Sequence, residues 1–357
     1  MATDTSGMSR INHEKLIRFV SRSFEKLSVP ASDAEIAASV LVASDLRGVD
    51  THGVIRFTPH AWYVKWLRDG AMKAEPNIRV VTENASTALL DADNGMGFVA
   101  GHRAMELAIK KARESGVGIV TVRNSRHYGM SAYYSMLALP HDMIGIAMTN
   151  ASRQVVPTFG REARFGTNPI SFAIPANDEQ PFVLDMATTT AAAGKLELAI
   201  RLGKPVPTGW ALNEKAEPTT DPKVAQQARR LLPLGGSRES GSHKGYGLAI
   251  LVEILCGVLT GTLTALNANQ EPRGHFFGAI DPAAFRPAAE FKADMDRLIR
   301  ELKSTPPVDG ESRVYVAGEI EFATAEERSE RGIPLHSSVL KGLRAVGAQL
   351  GVPYDLE

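Results

Sequence analysis

Apolar residues at Leu16, Ile17, Val20, Phe24 and Leu27 recur at helical spacing and predict a helix within residues 12–29. The run Ser32-Asp33-Ala34-Glu35 has the form of a capping box, so a second helix should open there. It would run to about Arg47, with Gly48 as its stop. A third helix is predicted from Thr51-His52 through WYVKWLRDG, which makes the first 75 or so residues helical. From Ile78 onward the period shortens. NIRVVTEN, STALLDA, VGIVTV, MIGIAMTN, ISFAIP and FVLDMA read as strands, separated by loops rich in Pro and Gly. Helical spacing returns in residues 97–116, 246–261 and 287–304, and in the tail, where Val339, Leu343, Val346 and Leu350 share one face. Helices at both ends around a central sheet make an α+β protein, and the strands do not alternate with helices as a doubly wound sheet requires.

Composition narrows the function without naming it. The 357 residues suffice for two domains and a large core. Forty basic and forty acidic side chains balance, so no global field points to nucleic acid or an anionic membrane. The single cysteine, Cys256, sits in an apolar run and reads as a small hydrophobe in a reducing compartment. The start of the chain is polar, without a secretory signal pattern, and a cytoplasmic protein is expected. The most apolar segment, YGLAILVEILCGVLTG (246–261), is short of the roughly 20 residues that span a bilayer and carries Glu253. A buried core helix is the expectation there.

One stretch invites a nucleotide. GMGFVA spells G-x-G-x-x-A between a short strand-like run and a helix, the outline of a dinucleotide-binding βαβ unit. The acidic residue expected about 20 positions on is absent; Arg123 could instead meet a 2′-phosphate. Glycine-rich turns also arise for conformational reasons alone.

Other clusters offer chemistry. In DLRGVDTHGVIRF, a helix capped by Thr51 would place His52 and Arg56 on one face. An arginine that clamps a carboxylate beside a histidine that exchanges a proton is what a 2-oxo or 2-hydroxy acid site needs. His127, Tyr128 and Gly129 follow a predicted strand and precede Tyr133-Tyr134, a plausible pocket rim. Thr167 lies in a Gly-Thr-Asn-Pro turn, and Asp185 ends a strand before small residues and Lys195. Glycines flank His243 and Lys244 at a helix entrance suited to an anionic phosphate. His52, His127, His243 and Asp185 lack any metal-ligand spacing, so no metal is expected.

Taken together, LRGVDTHGVIRF, NSRHYGMSAYYS, FGTNPISFAIP, VLDMATTTAAAGKLELA, GSHKGYGLAILVEIL, GHFFGAIDP, AGEIEF and RGIPL resemble the malate/L-lactate dehydrogenase family, collinearly over nearly the whole chain. The resemblance implies an NAD- or NADP-dependent oxidoreductase acting on 2-oxo and 2-hydroxy acids, and a homodimer. It also implies a fold that is not a standard Rossmann fold. A helical domain of residues 1–76, completed by 300–357, would flank a largely antiparallel cofactor-binding domain at 77–299. GMGFVA would then be a strand-to-helix turn and not the pyrophosphate cradle.

By the same resemblance, His52 is the proton donor to the substrate and Arg56 its carboxylate anchor. His127 lines the nicotinamide, or is itself the acid/base, with Tyr128 and Gly129 beside it. Thr167 touches substrate. Asp185, Met186, Ala187, His243, Lys244, Gly318 and Glu319 attend the cofactor, the last two in a loop that closes over it. Some residues depart from the family pattern. Thr51 replaces the usual serine, and Ala317 stands where a proline commonly precedes Gly-Glu. Lys195 stands where imine-reducing members carry an aspartate, and Arg126 adds a positive charge. A lysine there disfavours imine reduction and suits a dicarboxylate. Competing readings are an imino-acid reductase, a nucleotide-binding relative without turnover, and a Rossmann-type enzyme using Gly95, Gly97 and Arg123.

Overall fold

The computed structural model describes residues 7–59, 61–263 and 271–356. The polar start, residues 1–6, and His60 inside the predicted third helix lie outside them. β1 (Met8–Ile11) leads into α1 (His13–Glu25) and α2 (Ala31–Leu46). Two 3-10 turns, Asp50–His52 and Val54–Phe57, precede the short α3 (Trp62–Arg68). The sheet region runs through β2 (Arg79–Glu83), β3 (Thr87–Asp91), α4 (Gly97–Ser115), β4 (Val117–Ser125), α5 (Ser131–Met136), β5 (Ile144–Thr149), β6 (Ile170–Ile174) and β7 (Phe182–Met186). Then come α6 (Ala193–Leu202), the minimal hairpin β8 (Ala211–Leu212) and β9 (Pro218–Thr219), α7 (Pro222–Ala228), and α8 (Ser242–Glu253) with a π turn at Ile254–Val258. β10 (Arg273–Ile280), α9 (Ala288–Lys303), α10 (Glu319–Arg331), β11 (Ile333–His336) and α11 (Ser337–Leu350) complete the chain.

Seven strands form one sheet in the order β2-β3-β4-β10-β5-β6-β7. Every pairing is antiparallel except β3 with β4, so this is a largely antiparallel α+β fold. The six strand-like runs are all strands. β10, at the centre, escaped the pattern reading because residues 273–279 are buried on both faces and show no alternation. β1 pairs with β11, bringing the chain ends together. One apolar core joins Phe19 and Phe24 of α1, Leu41 of α2, Phe98 of α4, Val120 of β4 and Leu343 of α11. Each such side chain contributes about 1.5–3 kcal/mol of burial. The expected domain boundary at 299/300 falls inside α9, whose Asp296 accepts hydrogen bonds from the amides of Asn177, Asp178 and Glu179.

Three local expectations need correction. Ser32 caps nothing: α2 begins at Ala31 after Pro30, so Ser32 is already in the first turn, and Asp33 reaches Arg103 of α4 at 2.7 Å. The third helix breaks into two 3-10 turns before α3, because Gly53 adopts extended backbone (ψ −156°) between them. Thr51 is accordingly not its N-cap. The α8 segment is only half buried: Ala249, Val252 and Cys256 face the protein, while Leu251, Ile254, Val258 and Leu259 are exposed.

The glycine motif does form a βαβ unit, with β3 and β4 parallel around α4. Its glycines serve packing. A Cβ on Gly97 would sit 2.2 Å from the Arg126 carbonyl oxygen and 2.7 Å from that of His127; one on Gly95 would meet Pro76 at 2.4 Å. Arg123 donates to Asp91 at 3.1 Å and is already paired.

Candidate active site

The centre of the site is the turn pair after α2. Asp45, buried in the last turn of that helix, accepts the Val54 N–H at 2.8 Å. A Cβ on Gly53 would lie 1.8 Å from the Asp45 carboxylate, so only glycine lets the turn close on it. Burial pushes the Asp45 carboxyl well above its usual range, against the opposing donation from Val54. Arg328 of α10 donates to the Asp45 carbonyl and the Asp50 carboxylate, tying a second helix to the turn.

Within this frame His52 and Arg56 are linked through Thr51. Thr51 Oγ1 lies 2.9 Å from His52 Nδ1, and the Thr51 carbonyl accepts from Arg56 Nε at 2.7 Å. The guanidinium lies 4.8 Å above the Trp62 ring. Among the described residues no carboxylate pairs with it. Loss of hydration, then the Arg56 charge, lowers the His52 pKa to about 4, so its imidazole is neutral at neutral pH.

A cavity of about 1070 Å³ opens beside this turn, between the helical region and the β7 edge of the sheet. Thr51, His52 and Arg56 form one wall. Thr167 and the β7 end, Asp185, Met186 and Ala187, form another, and Gly129, Lys195 and Gly318 also line it. Asp185 accepts the Ala132 N–H at 2.8 Å. Although exposed to the cavity it is ringed by protein, and lost hydration raises its carboxyl to about 6 in spite of Ala132 and Arg47. Lys195 is exposed, its ammonium 5.9 Å from the Trp210 ring.

The sequence profile described as malate/L-lactate dehydrogenase matches residues 11–344. The chain belongs to that family. It is 44% identical over 349 residues to a malate dehydrogenase of Pyrococcus horikoshii, covering 96% of each chain. It is 40% identical to an L-sulfolactate dehydrogenase of Methanocaldococcus jannaschii, over 96% of this chain and 97% of that one. Among solved structures, malate dehydrogenase from Entamoeba histolytica superposes with a TM-score of 0.93 at 34% identity, over 98% of this chain and 99% of its own. As a member of the malate/L-lactate dehydrogenase family, the protein is an oxidoreductase.

Several expected site residues lie off the cavity wall. His127 is absent from it but stacks on His52, ring centroids 5.7 Å apart. Tyr128 is fully buried, stacked between Tyr134 and His275 with its hydroxyl on Ser131, and is a core residue. His243 and Lys244 are exposed at the start of α8, with Arg238 3.1 Å from His243 Nδ1. Gly318 and Glu319 do not form a loop. Gly318 caps α10, and Glu319 begins it, its carboxylate taken by the Val316 N–H, Lys303 and Arg313. Among the described residues, no three His, Cys, Asp or Glu side chains gather as a metal site would require. No helix of the described chain is long and apolar enough to cross a membrane.

Asp45, Trp62, Tyr63 and Arg47 also belong to the site and carry no signal in the sequence pattern. Arg47 lines the cavity and is 7% exposed, and its Nε has no hydrogen-bond partner. Nothing in linear spacing marks these four, since their contacts are made across space: Asp45 with Val54, Trp62 with Arg56, Tyr63 with His127, and Arg47 over the Phe322 ring.

Proposed function

We propose that the protein is a nicotinamide-dependent dehydrogenase that interconverts a 2-hydroxy acid and its 2-oxo acid, with His52 as acid/base and Arg56 as carboxylate anchor. One observation carries this reading. A neutral imidazole and a guanidinium without a carboxylate partner share one cavity wall, linked through Thr51. Arg56 would pair the substrate carboxylate bidentately, orienting C2 and its oxygen toward His52. In oxidation His52 accepts the hydroxyl proton; in reduction it returns it. The bound carboxylate offsets the Arg56 charge and raises the proton affinity of His52 when substrate is present. Lys195, a second cation on the wall, suits substrates with a second anionic group, in keeping with the malate and sulfolactate names of the relatives.

The residues present fit a dinucleotide. The cavity is slightly larger than the roughly 300–1,000 Å³ of ordinary small-molecule sites, and the buried Arg47 Nε without a partner suits an anionic group. Gly129, Arg47, Asp185 to Ala187 and Gly318 would hold it. A bound nicotinamide supplies the hydride acceptor in one direction and the donor in the other. The exposed apolar face of Leu251, Ile254, Val258 and Leu259 supports a homodimer that covers it.

The test is turnover of malate, lactate, sulfolactate, 2-hydroxyglutarate and ureidoglycolate with NAD⁺ or NADP⁺, with a cyclic imino acid as the reductive control. Absorbance of the reduced nicotinamide should rise fastest with a dianionic 2-hydroxy acid. Cofactor binding without turnover of any of these acids would contradict the proposal.

A further inference from the structure

His52 and His127 are near-parallel rings, with an interplanar angle of 18°. Chemistry alone would let either exchange a proton with the substrate. The backbone distinguishes them. Gly129 N–H lies 3.2 Å from His127 Nδ1. A backbone amide only donates, so this Nδ1 accepts and carries no hydrogen. Tyr63 Oη, 2.6 Å from the same Nδ1, must then donate as well. With Nδ1 bare, a neutral imidazole holds its proton on Nε2. Tyr63 is fully buried and cannot turn away easily: Phe98 packs on its ring at 4.7 Å and Trp66 at 5.9 Å. Besides the Tyr63 hydroxyl, the charged or titratable groups that act on His127 are Arg273, His52, Arg56 and His275, and with burial these four oppose its protonation.

His52 is placed differently. Its Nδ1 meets a hydroxyl, Thr51 Oγ1, which can rotate to donate or to accept. His52 can therefore hold its proton on either nitrogen, as a group alternating between acid and base must. Resting on the dehydrogenase reading above, we infer that His127 is not the proton-exchanging group. Tyr63 and the Gly129 amide fix it as a neutral Nε2–H ring stacked on His52. The imidazolium formed on His52 then meets no second charge on its neighbour. The substrate proton goes to His52, and His127 keeps its own. Tyr63 and His127 are positioning residues, acting through His52.

Imidazole ¹H–¹⁵N correlation spectra of the free, ¹⁵N-labelled protein would read the tautomer directly, with His127→Gln for assignment. The expected pattern for His127 is neutral Nε2–H, unchanged from about pH 5 to about pH 8, a range in which an ordinary histidine titrates. In Tyr63→Phe the ring should titrate or exchange tautomers. In activity, His127→Gln keeps a polar side chain there that is neutral at every pH. It should keep kcat within about tenfold, about 1.4 kcal/mol, whereas His52→Gln should lose about 1,000-fold. An Nδ1–H pattern or a titrating His127 in the unaltered protein would overturn the inference. So would a His127→Gln loss equal to that of His52→Gln. The spectra need no substrate, so a failed dehydrogenase reading would leave this outcome separately legible.

Discussion

Gly95 and Gly97 press against Pro76 and against the backbone of Arg126 and His127, and Arg123 nearby is paired with Asp91. The Thr51–Arg56 turn is held as tightly, by Asp45, Gly53 and Arg328, yet His52 and Arg56 both line the open cavity. Both regions carry suggestive motifs, and both are rigid. They differ in what is left over once packing is complete. At the glycine turn Gly95, Gly97 and Arg123 each have an internal use. At the histidine turn a guanidinium and an imidazole are oriented and left without a carboxylate partner. Rigid support with uncommitted polar atoms is the mark of a site; rigid support alone is the mark of a core.

The largest structural effect is expected at the glycine turn. In Gly97→Ala the new methyl meets fixed backbone, which should cost about 3 kcal/mol or more, read as a fall in the thermal midpoint. Activity per folded molecule should also drop, since the clash displaces the backbone of His127. On the other side, Arg56→Lys keeps the charge but loses the planar fork. We expect KM for the acid to rise about 30-fold, equivalent to about 2 kcal/mol, with cofactor affinity unchanged. An unaltered KM would remove Arg56 from the substrate.

A smaller effect should appear with pH. His52 is lowered to about 4 and His275 to about 3, so the folded chain holds these rings neutral where free imidazoles bind protons. Unfolding then takes up protons, and stability should fall as pH drops below about 6.5 toward 4. Asp185, raised to about 6, works in the opposite sense: its contribution is lost as pH rises through that value. In catalysis, the acidic limb of kcat/KM for hydroxy-acid oxidation should lie near pH 4 and not near 6.5. The limb of kcat should lie higher, because bound carboxylate offsets Arg56. A limb of kcat/KM at the ordinary histidine value would show that the proton leaves by another group.

Much of this was legible in the sequence because it depends on local pattern. The six strand-like runs, α4, α9 and α11 follow from periodicity. His52 and Arg56 do line one cavity, but from two 3-10 turns and not from the shared helix face that their spacing suggests. The rest depends on contacts between distant parts of the chain. β10 is buried on both faces and shows no alternation. The capping pattern at Ser32 yielded to Pro30 two residues earlier, and the third helix yielded to Gly53 and the Asp45 carboxylate. Tyr63 reaches His127 across 64 residues, which no spacing rule records.

On the function proposed above, proton exchange belongs to the histidine turn and the glycine turn holds no nucleotide. The most direct test measures turnover and cofactor affinity together in His52→Ala and Arg123→Ala. His52→Ala should lose about 1,000-fold in kcat while still binding cofactor. Arg123→Ala should change the Kd for either NADP or NAD by less than about twofold, well under 1 kcal/mol. Turnover that survives without His52, or NADP affinity that collapses without Arg123, would contradict it.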